Sequence, residues 1–178
     1  MNRSSRLAVL GTALAGLLTP LLLQPAQAAA PAYVALGDSY ASGTGTRSYI
    51  ADGTSCQRST SAYPSLIAAA RGYALNFRAC SGATVADVTN TQLSALTPAT
   101  TYVSISVGGN DAGFADVLTE CALPGWMSRC DAKITTAQSF ISATLPSRLA
   151  TLYSGIRSRA PYAKVVVVAN PRAVTFGS

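Results

Sequence analysis

Three short stretches of this 178-residue chain combine residue types suited to acyl transfer: "GDSYASG" around Ser39, "CSGAT" around Gly82 and "GGND" around Asn110. Ser39 offers a hydroxyl nucleophile whose own N–H could face a developing oxyanion. Gly82 offers a backbone N–H that a substrate oxygen can approach closely. Asn110 offers a side-chain NH₂, and such a donor preorganised at a tetrahedral intermediate contributes roughly 2.7–4 kcal/mol to transition-state stabilisation. Each residue also has an ordinary structural alternative. Ser39 or Asp38 suits a helix N-cap, Gly82 suits a turn with positive φ, and Asn110 or Asp111 suits the cap of a helix starting near Phe114. A serine nucleophile needs a base, and the chain contains no histidine. The G-x-S-x-G elbow of the common α/β-hydrolases is absent too.

The elements that must position these residues are legible in the periodicity. "AYVALG" (residues 32–37) is a short apolar run ending at glycine, a predicted strand. Residues 60–72 read as a helix, with Thr60 or Ser61 as cap, Pro64 in the first turn and Gly72 at the end. "YALNFRAC" (73–80) reads as a second strand. "TYVSISVGG" (101–109) alternates Val103, Ile105 and Val107 with Ser104 and Ser106, a third strand. Over residues 131–160, Ile134, Ile141, Leu145, Leu149, Leu152 and Ile156 recur at helical spacing, and Pro146 predicts a kink or split. "KVVVVA" (164–169) shows no alternation and reads as a strand buried on both faces. Strands alternating with helices indicate a parallel α/β sheet, whose ligands gather at the carboxyl ends of the strands. All three chemical stretches sit at such ends.

Residues 1–30 read as a secretory signal peptide: Arg3 and Arg6 supply the positive start, residues 7–23 the apolar core and "AQA" the small residues for cleavage. Residues 31–178 then form one secreted, extracellular domain with no integral membrane segment. Without Arg3 and Arg6, 11 basic and 7 acidic residues remain, a net charge of +4, and they are scattered. No Lys/Arg cluster marks a nucleic-acid surface. Cys56, Cys80, Cys121 and Cys130 argue for disulfides in an exported chain. Three pairings are open, local pairing is the simplest, and each bridge contributes roughly 2–4 kcal/mol. Without a C-x-x-C pair or histidine, no metal site is expected. "SGTGT" (42–46) lacks G-x-G-x-x-G spacing and reads as a loop. No metal, nucleotide or flavin cofactor is implied.

Taken together, the three stretches are far more specific than any one alone. They supply, in order, a nucleophile, a backbone donor and a side-chain donor. The sequence resembles the SGNH or GDSL hydrolases, secreted esterases and lipases. Ser39 matches the family's first block, Gly82 its second and Asn110 its third. Within the family the chain is most similar to the disulfide-bonded esterases and lipases of actinomycetes, on "GDSYASGTGT", "QRSTSAYP", "ACSGAT" and "SISVGGNDAGFADV", over about Tyr33 to Arg172. The resemblance implies a three-layer αβα flavodoxin-like sandwich with a parallel sheet of order 2-1-3-4-5. It implies Ser39 as nucleophile, an oxyanion hole of Ser39, Gly82 and Asn110, and cysteines paired in sequence order, Cys56–Cys80 and Cys121–Cys130. The expected substrate is a carboxylic or lipid ester, hydrolysed by a monomer through an acyl-serine intermediate.

The family's fourth block, Asp-x-x-His, has no match. "NPR" (170–172) keeps part of a turn found in the relatives, but "AVTFGS" does not resemble the segment next to that turn in them. The expectation is a C-terminally truncated chain lacking the fifth strand and last helix, with residues 164–169 left as a bare apolar edge. Removing the base from a serine hydrolase costs about a millionfold in rate, roughly 8 kcal/mol. The oxyanion donors retain roughly a thousandfold over water. Asp38, Asp87, Asp111 and Asp116 are substitute bases by position, though an exposed aspartate, with a pKa of about 4, is a weak one. The expected function is therefore an impaired secreted serine ester hydrolase. The alternatives are a non-catalytic ester- or glycan-binding protein, or a fragment without function.

Overall fold

The computed structural model describes residues 28–169. Apart from residues 28–30, the predicted leader lies outside them, as does "AVTFGS". The first strand, β1 (Ala32–Gly37), leads into a single helical turn, α1 (Ser39–Ser42). Helix α2 (Tyr63–Arg71) and strand β2 (Ala74–Phe77) come next, then a short helix α3 (Val85–Asp87) that runs on through a π turn at Val88–Gln92. Strand β3 (Tyr102–Ser106) precedes helices α4 (Phe114–Cys121), α5 (Cys130–Ala143) and α6 (Leu145–Arg159), and β4 (Lys164–Val167) closes the order. The strands pair in parallel in the order β2-β1-β3-β4. This agrees with the predicted order for the strands described.

Strand alternation decides what each face of the sheet packs on. Val34 and Leu36 of β1 and Val103 and Ile105 of β3 point to one side, where they meet Val85, Val88 and Leu93 and the Leu152 and Ile156 pair of α6. Tyr33 and Ala35 point to the other, against Ala68 of α2, with Tyr73, Leu75, Phe77 and Tyr102 around them. Helices thus cover both faces, giving the three layers. The serines of β3 are buried as well. Ser104 is accommodated by a hydrogen bond of 2.7 Å with the Tyr33 hydroxyl, as a buried polar group requires.

Local signals mostly held, with three corrections. Helix α2 is capped at Ala62, without a side-chain bond, and not at Thr60 or Ser61. Those two residues serve the preceding loop instead: the Thr60 hydroxyl donates to the Ser48 carbonyl, and the Ser61 N–H donates to Ser59 Oγ. Neither Asn110 nor Asp111 caps α4, whose N-cap is Gly113 in a left-handed conformation. The valine run is not buried on both faces. β4 pairs only with β3 among the described residues, and Val166 and Val167 are 58% and 54% exposed. Unbroken apolarity marks a strand but does not say what covers it. Pro146 does split the long helical pattern, at Thr144 between α5 and α6. A proline in the first turn of α6 lacks only an N–H that would have no partner there.

Two disulfides, Cys56–Cys80 and Cys121–Cys130, join the cysteines in sequence order. The first fastens the long loop after α1 to the end of β2, where the Ser81 N–H also donates to the Cys56 carbonyl. An Asp52–Arg58 ion pair at 2.7 Å folds that loop on itself. The second bridges α4 and α5.

Candidate active site

The site forms where β1, β2 and β3 run out. β1 ends at Gly37, whose φ of +129° is open to glycine and strained for other residues. A Cβ there would lie 2.2 Å from the Ser106 carbonyl oxygen, so only glycine lets β1 and β3 stay this close. The next residue, Asp38, donates its N–H to that same carbonyl at 2.9 Å. Its carboxylate then turns back to accept the Tyr40 N–H at 3.0 Å and so caps α1.

That settles which residue is the cap. Asp38 holds the cap position, which leaves Ser39 at the first helical position. Amides there have no carbonyl partner within the helix. Ser39 is half-buried and lines a cleft of about 210 Å³ with Asp38, Tyr40, Thr44, Gly109, Asn110 and Phe114. Asp38 is 2% exposed. Burial drives its pKa up from 3.8 to about 6, against the pull of the Tyr40 and Ala41 amides, and the charge of Asp111 adds a little in the same direction.

Asn110 enters the cleft from the turn after β3. One N–H of its amide donates to the Ala83 carbonyl at 2.9 Å, which leaves the second for a ligand. The neighbouring Asp111 reaches back across 26 residues and accepts the Val85 N–H at 2.8 Å. Asp111 thus serves the start of α3, not of α4. Arg148 lies 3.5 Å from its other oxygen. These two bonds clip the "GGND" turn to the "CSGAT" turn.

Gly82 precedes Ala83 in the second of these turns. It has φ of +82°, and nothing stands within 4 Å of where a Cβ would be. Its amide makes no hydrogen bond among the described residues. The structure therefore brings Ser39 and Asn110 into one cleft. It does not bring Gly82 into that cleft: Gly82 lines a separate depression with Cys80, Ser81, Ala83, Asp87 and Gln92.

Gln92 had no signal in the sequence. Its buried side chain accepts from the Gly37 N–H at 2.8 Å and donates to the Gly37 carbonyl at 2.9 Å. It thereby fixes both polar groups of the residue before the Asp38–Ser39 pair. Fifty-five residues separate the partners, so no local pattern announces the contact. Phe114, an exposed aromatic that lines the cleft, has no sequence signal beyond that of a helix start.

Of the four aspartates considered as a base, Asp38 alone lines the cleft, and its carboxylate is engaged as the cap. Asp87 closes a capping box with Thr84, whose hydrogen bonds hold its pKa below the usual value. Asp111 is held by Val85, and Asp116 is exposed in the first turn of α4.

A parallel αβα sandwich with a serine just past β1 and an asparagine just past β3 in one cleft is the arrangement of a particular class of hydrolase. The model of the GDSL-like Lipase/Acylhydrolase family matches residues 35–178, and the chain belongs to that family. It is 48% identical to Lipase 1 of Streptomyces coelicolor over 176 residues, and 50% identical to a lipase of Streptomyces rimosus over 184. These alignments take in 98% of this chain, but 65% and 68% of those proteins. Among solved structures it is similar to phospholipase A1 from Streptomyces albidoflavus NA297, with a TM-score of 0.78 at 48% identity. The extracellular lipase of Streptomyces rimosus gives the same score at 50% identity. Each superposition covers 84% of this chain and 64% of the other. The chain thus spans about two thirds of the length of the relatives it matches.

Proposed function

We propose that the chain carries the serine and oxyanion half of a secreted carboxylester hydrolase acting on acyl or lipid esters. Ser39 Oγ attacks the ester carbonyl, and the Ser39 N–H, the Gly82 N–H and the Asn110 amide receive the oxyanion. The alcohol then leaves, and water releases the acyl group from Ser39. One observation carries this reading: Asp38 takes the cap, so Ser39 is left on the cleft opposite Asn110. The lipase and phospholipase names of the relatives support the ester class. The leader read over residues 1–30 and the two disulfides support export.

With no histidine among the 178 residues, and Asp38, Asp87 and Asp111 committed to backbone amides, proton transfer from Ser39 is the weak step. The chain as it stands is a slow esterase. Hydrolysis of a short p-nitrophenyl ester by the wild type and by Ser39→Ala tests this. Trace turnover lost in the variant is expected. Turnover at the level of the Streptomyces lipases would overturn the impairment, and turnover indifferent to Ser39→Ala would overturn the nucleophile. Tight binding of an ester with no Ser39-dependent turnover would favour a binding protein instead.

A further inference from the structure

The loop joining α4 to α5, residues 122–129, turns its apolar side chains outward. Trp126 is 85% exposed and Met127 53%, with Leu123 exposed beside them. The backbone that carries them is nonetheless held in place. The Cys121–Cys130 disulfide closes its base. The Met127 N–H donates to the Pro124 carbonyl at 2.8 Å, the Ser128 hydroxyl to the Glu120 carbonyl at 2.8 Å, and the Arg129 N–H to Glu120 Oε1 at 2.6 Å. Hydrogen bonds and a cross-link order this loop, not burial of its own apolar groups.

The exposed surface continues toward the cleft. Phe114 and Leu118, four residues apart on one face of α4, are both exposed. Helix α4 rises about 12 Å over its eight residues. Phe114 lines the Ser39 cleft and also a second pocket of about 290 Å³, walled by Val107, Ala112, Val117, Ile141 and Leu145. Exposed apolar residues thus occur both in the loop and on α4, and Phe114 of α4 lines an apolar pocket that adjoins the cleft of Ser39 and Asn110.

We propose that the α4–α5 loop docks this protein onto a zwitterionic phospholipid surface, with Trp126, Met127 and Leu123 entering the interface. The choice of occupant rests on the ester-hydrolase reading, because a lipid ester must leave its aggregate to reach Ser39. The residue types match the site: tryptophan favours the boundary between headgroups and acyl chains, and leucine and methionine favour the chains. The charges flanking the loop are mixed, with Glu120 and Asp131 against Arg129 and Lys133. Attraction is thus apolar, not a counter-charge for an anionic membrane.

Trp126 is the only tryptophan in the chain, so its emission reports on this loop alone. Adding phosphatidylcholine vesicles should shift that emission to shorter wavelength and shield it from acrylamide, in the wild type and in Ser39→Ala alike. The double variant Leu123→Ser/Met127→Ser keeps the reporter and should weaken partitioning about tenfold or more. Unchanged emission with vesicles overturns the proposal, including the case in which the chain is held only through residues 7–23. Equal partitioning of the double variant overturns it too. So does binding that requires anionic lipid and disappears in high salt. A concentration-dependent shift without lipid would assign the loop to a second copy and overturn it as well. Vesicle docking without Ser39-dependent ester turnover would leave this proposal standing and defeat the hydrolase reading, and the reverse result would do the opposite.

Discussion

The two sides of this molecule are built differently. Around β1 and β3 burial is nearly complete: Leu36 and Ile105 are sealed between layers, and Gly37, Asp38 and Asn110 each have specified hydrogen-bond partners. Toward α4, α5 and β4 the described surface is open. Neither α4 nor α5 has a fully buried residue, and of the β4 valines only Val165 packs against the core, while Val166 and Val167 are exposed. The difference teaches where precision is needed. Donors to a developing oxyanion act only if held in place before reaction, and on the reading proposed above the interlocked turns at the packed sheet end would hold them. A surface that receives an apolar partner has to leave its apolar groups uncovered.

The largest test of that contrast concerns proton transfer. If the packed side is already organised and only the base is lacking, adding imidazole to the solution should raise ester turnover of the wild type but not of Ser39→Ala. Without imidazole the rate should fall about a millionfold, roughly 8 kcal/mol, below that of a histidine-bearing relative. Initial rates against imidazole concentration measure both, and a rate insensitive to imidazole would show that the packed side is not organised for catalysis.

Next in size is the core. Ile105→Ala should lose about 2–5 kcal/mol in a denaturant titration, because the void left in a sealed layer cannot collapse fully. A loss under about 1 kcal/mol would mean the β1–β3 core is looser than its burial indicates.

The third test is acid dependence. Burial lifts the Asp38 carboxyl from 3.8 to about 6. Between those values the folded chain retains a proton that the unfolded chain has released. Stability contributed at this residue therefore falls as pH rises through that window and is level above it. Asp38→Asn should remove a slope on the order of 2–3 kcal/mol across the window, read as the wild-type minus variant difference in unfolding free energy. Asp52 and Asp87, whose pKa values are lowered by hydrogen bonds, act in the opposite sense and cancel in that difference.

The smallest effect belongs to the open side. Val167→Thr on β4 should change stability by less than about 0.5 kcal/mol, since the residue is already more than half in water. A loss as large as that of Ile105→Ala would show that something covers this strand in solution.

Much of the molecule was legible in the sequence because its signals are local. Alternation over 101–109, helical spacing over 131–160 and glycine or proline at the ends placed the strands and helices. The three blocks, read as a family resemblance, pointed to Ser39, Gly82 and Asn110, of which Ser39 and Asn110 share a cleft, and to the cysteine pairing found in the structure. The absence of histidine needed no structure at all. Choices between partners far apart in the chain stayed hidden. Whether Asp38 or Ser39 caps α1 turns on which side chain the turn at Gly37 aims at the Tyr40 amide. Asn110 and Asp111 could have capped their own helix, yet they bond Ala83 and Val85, 27 and 26 residues away. Gln92 binds both polar groups of Gly37. Periodicity and turn chemistry describe a segment's own conformation, whereas a buried donor finds its acceptor only when packed layers bring distant turns together. Apolarity alone likewise could not say that Val166, Val167 and Trp126 would be exposed. That depends on what lies beside them in space, and only the tertiary structure decides it.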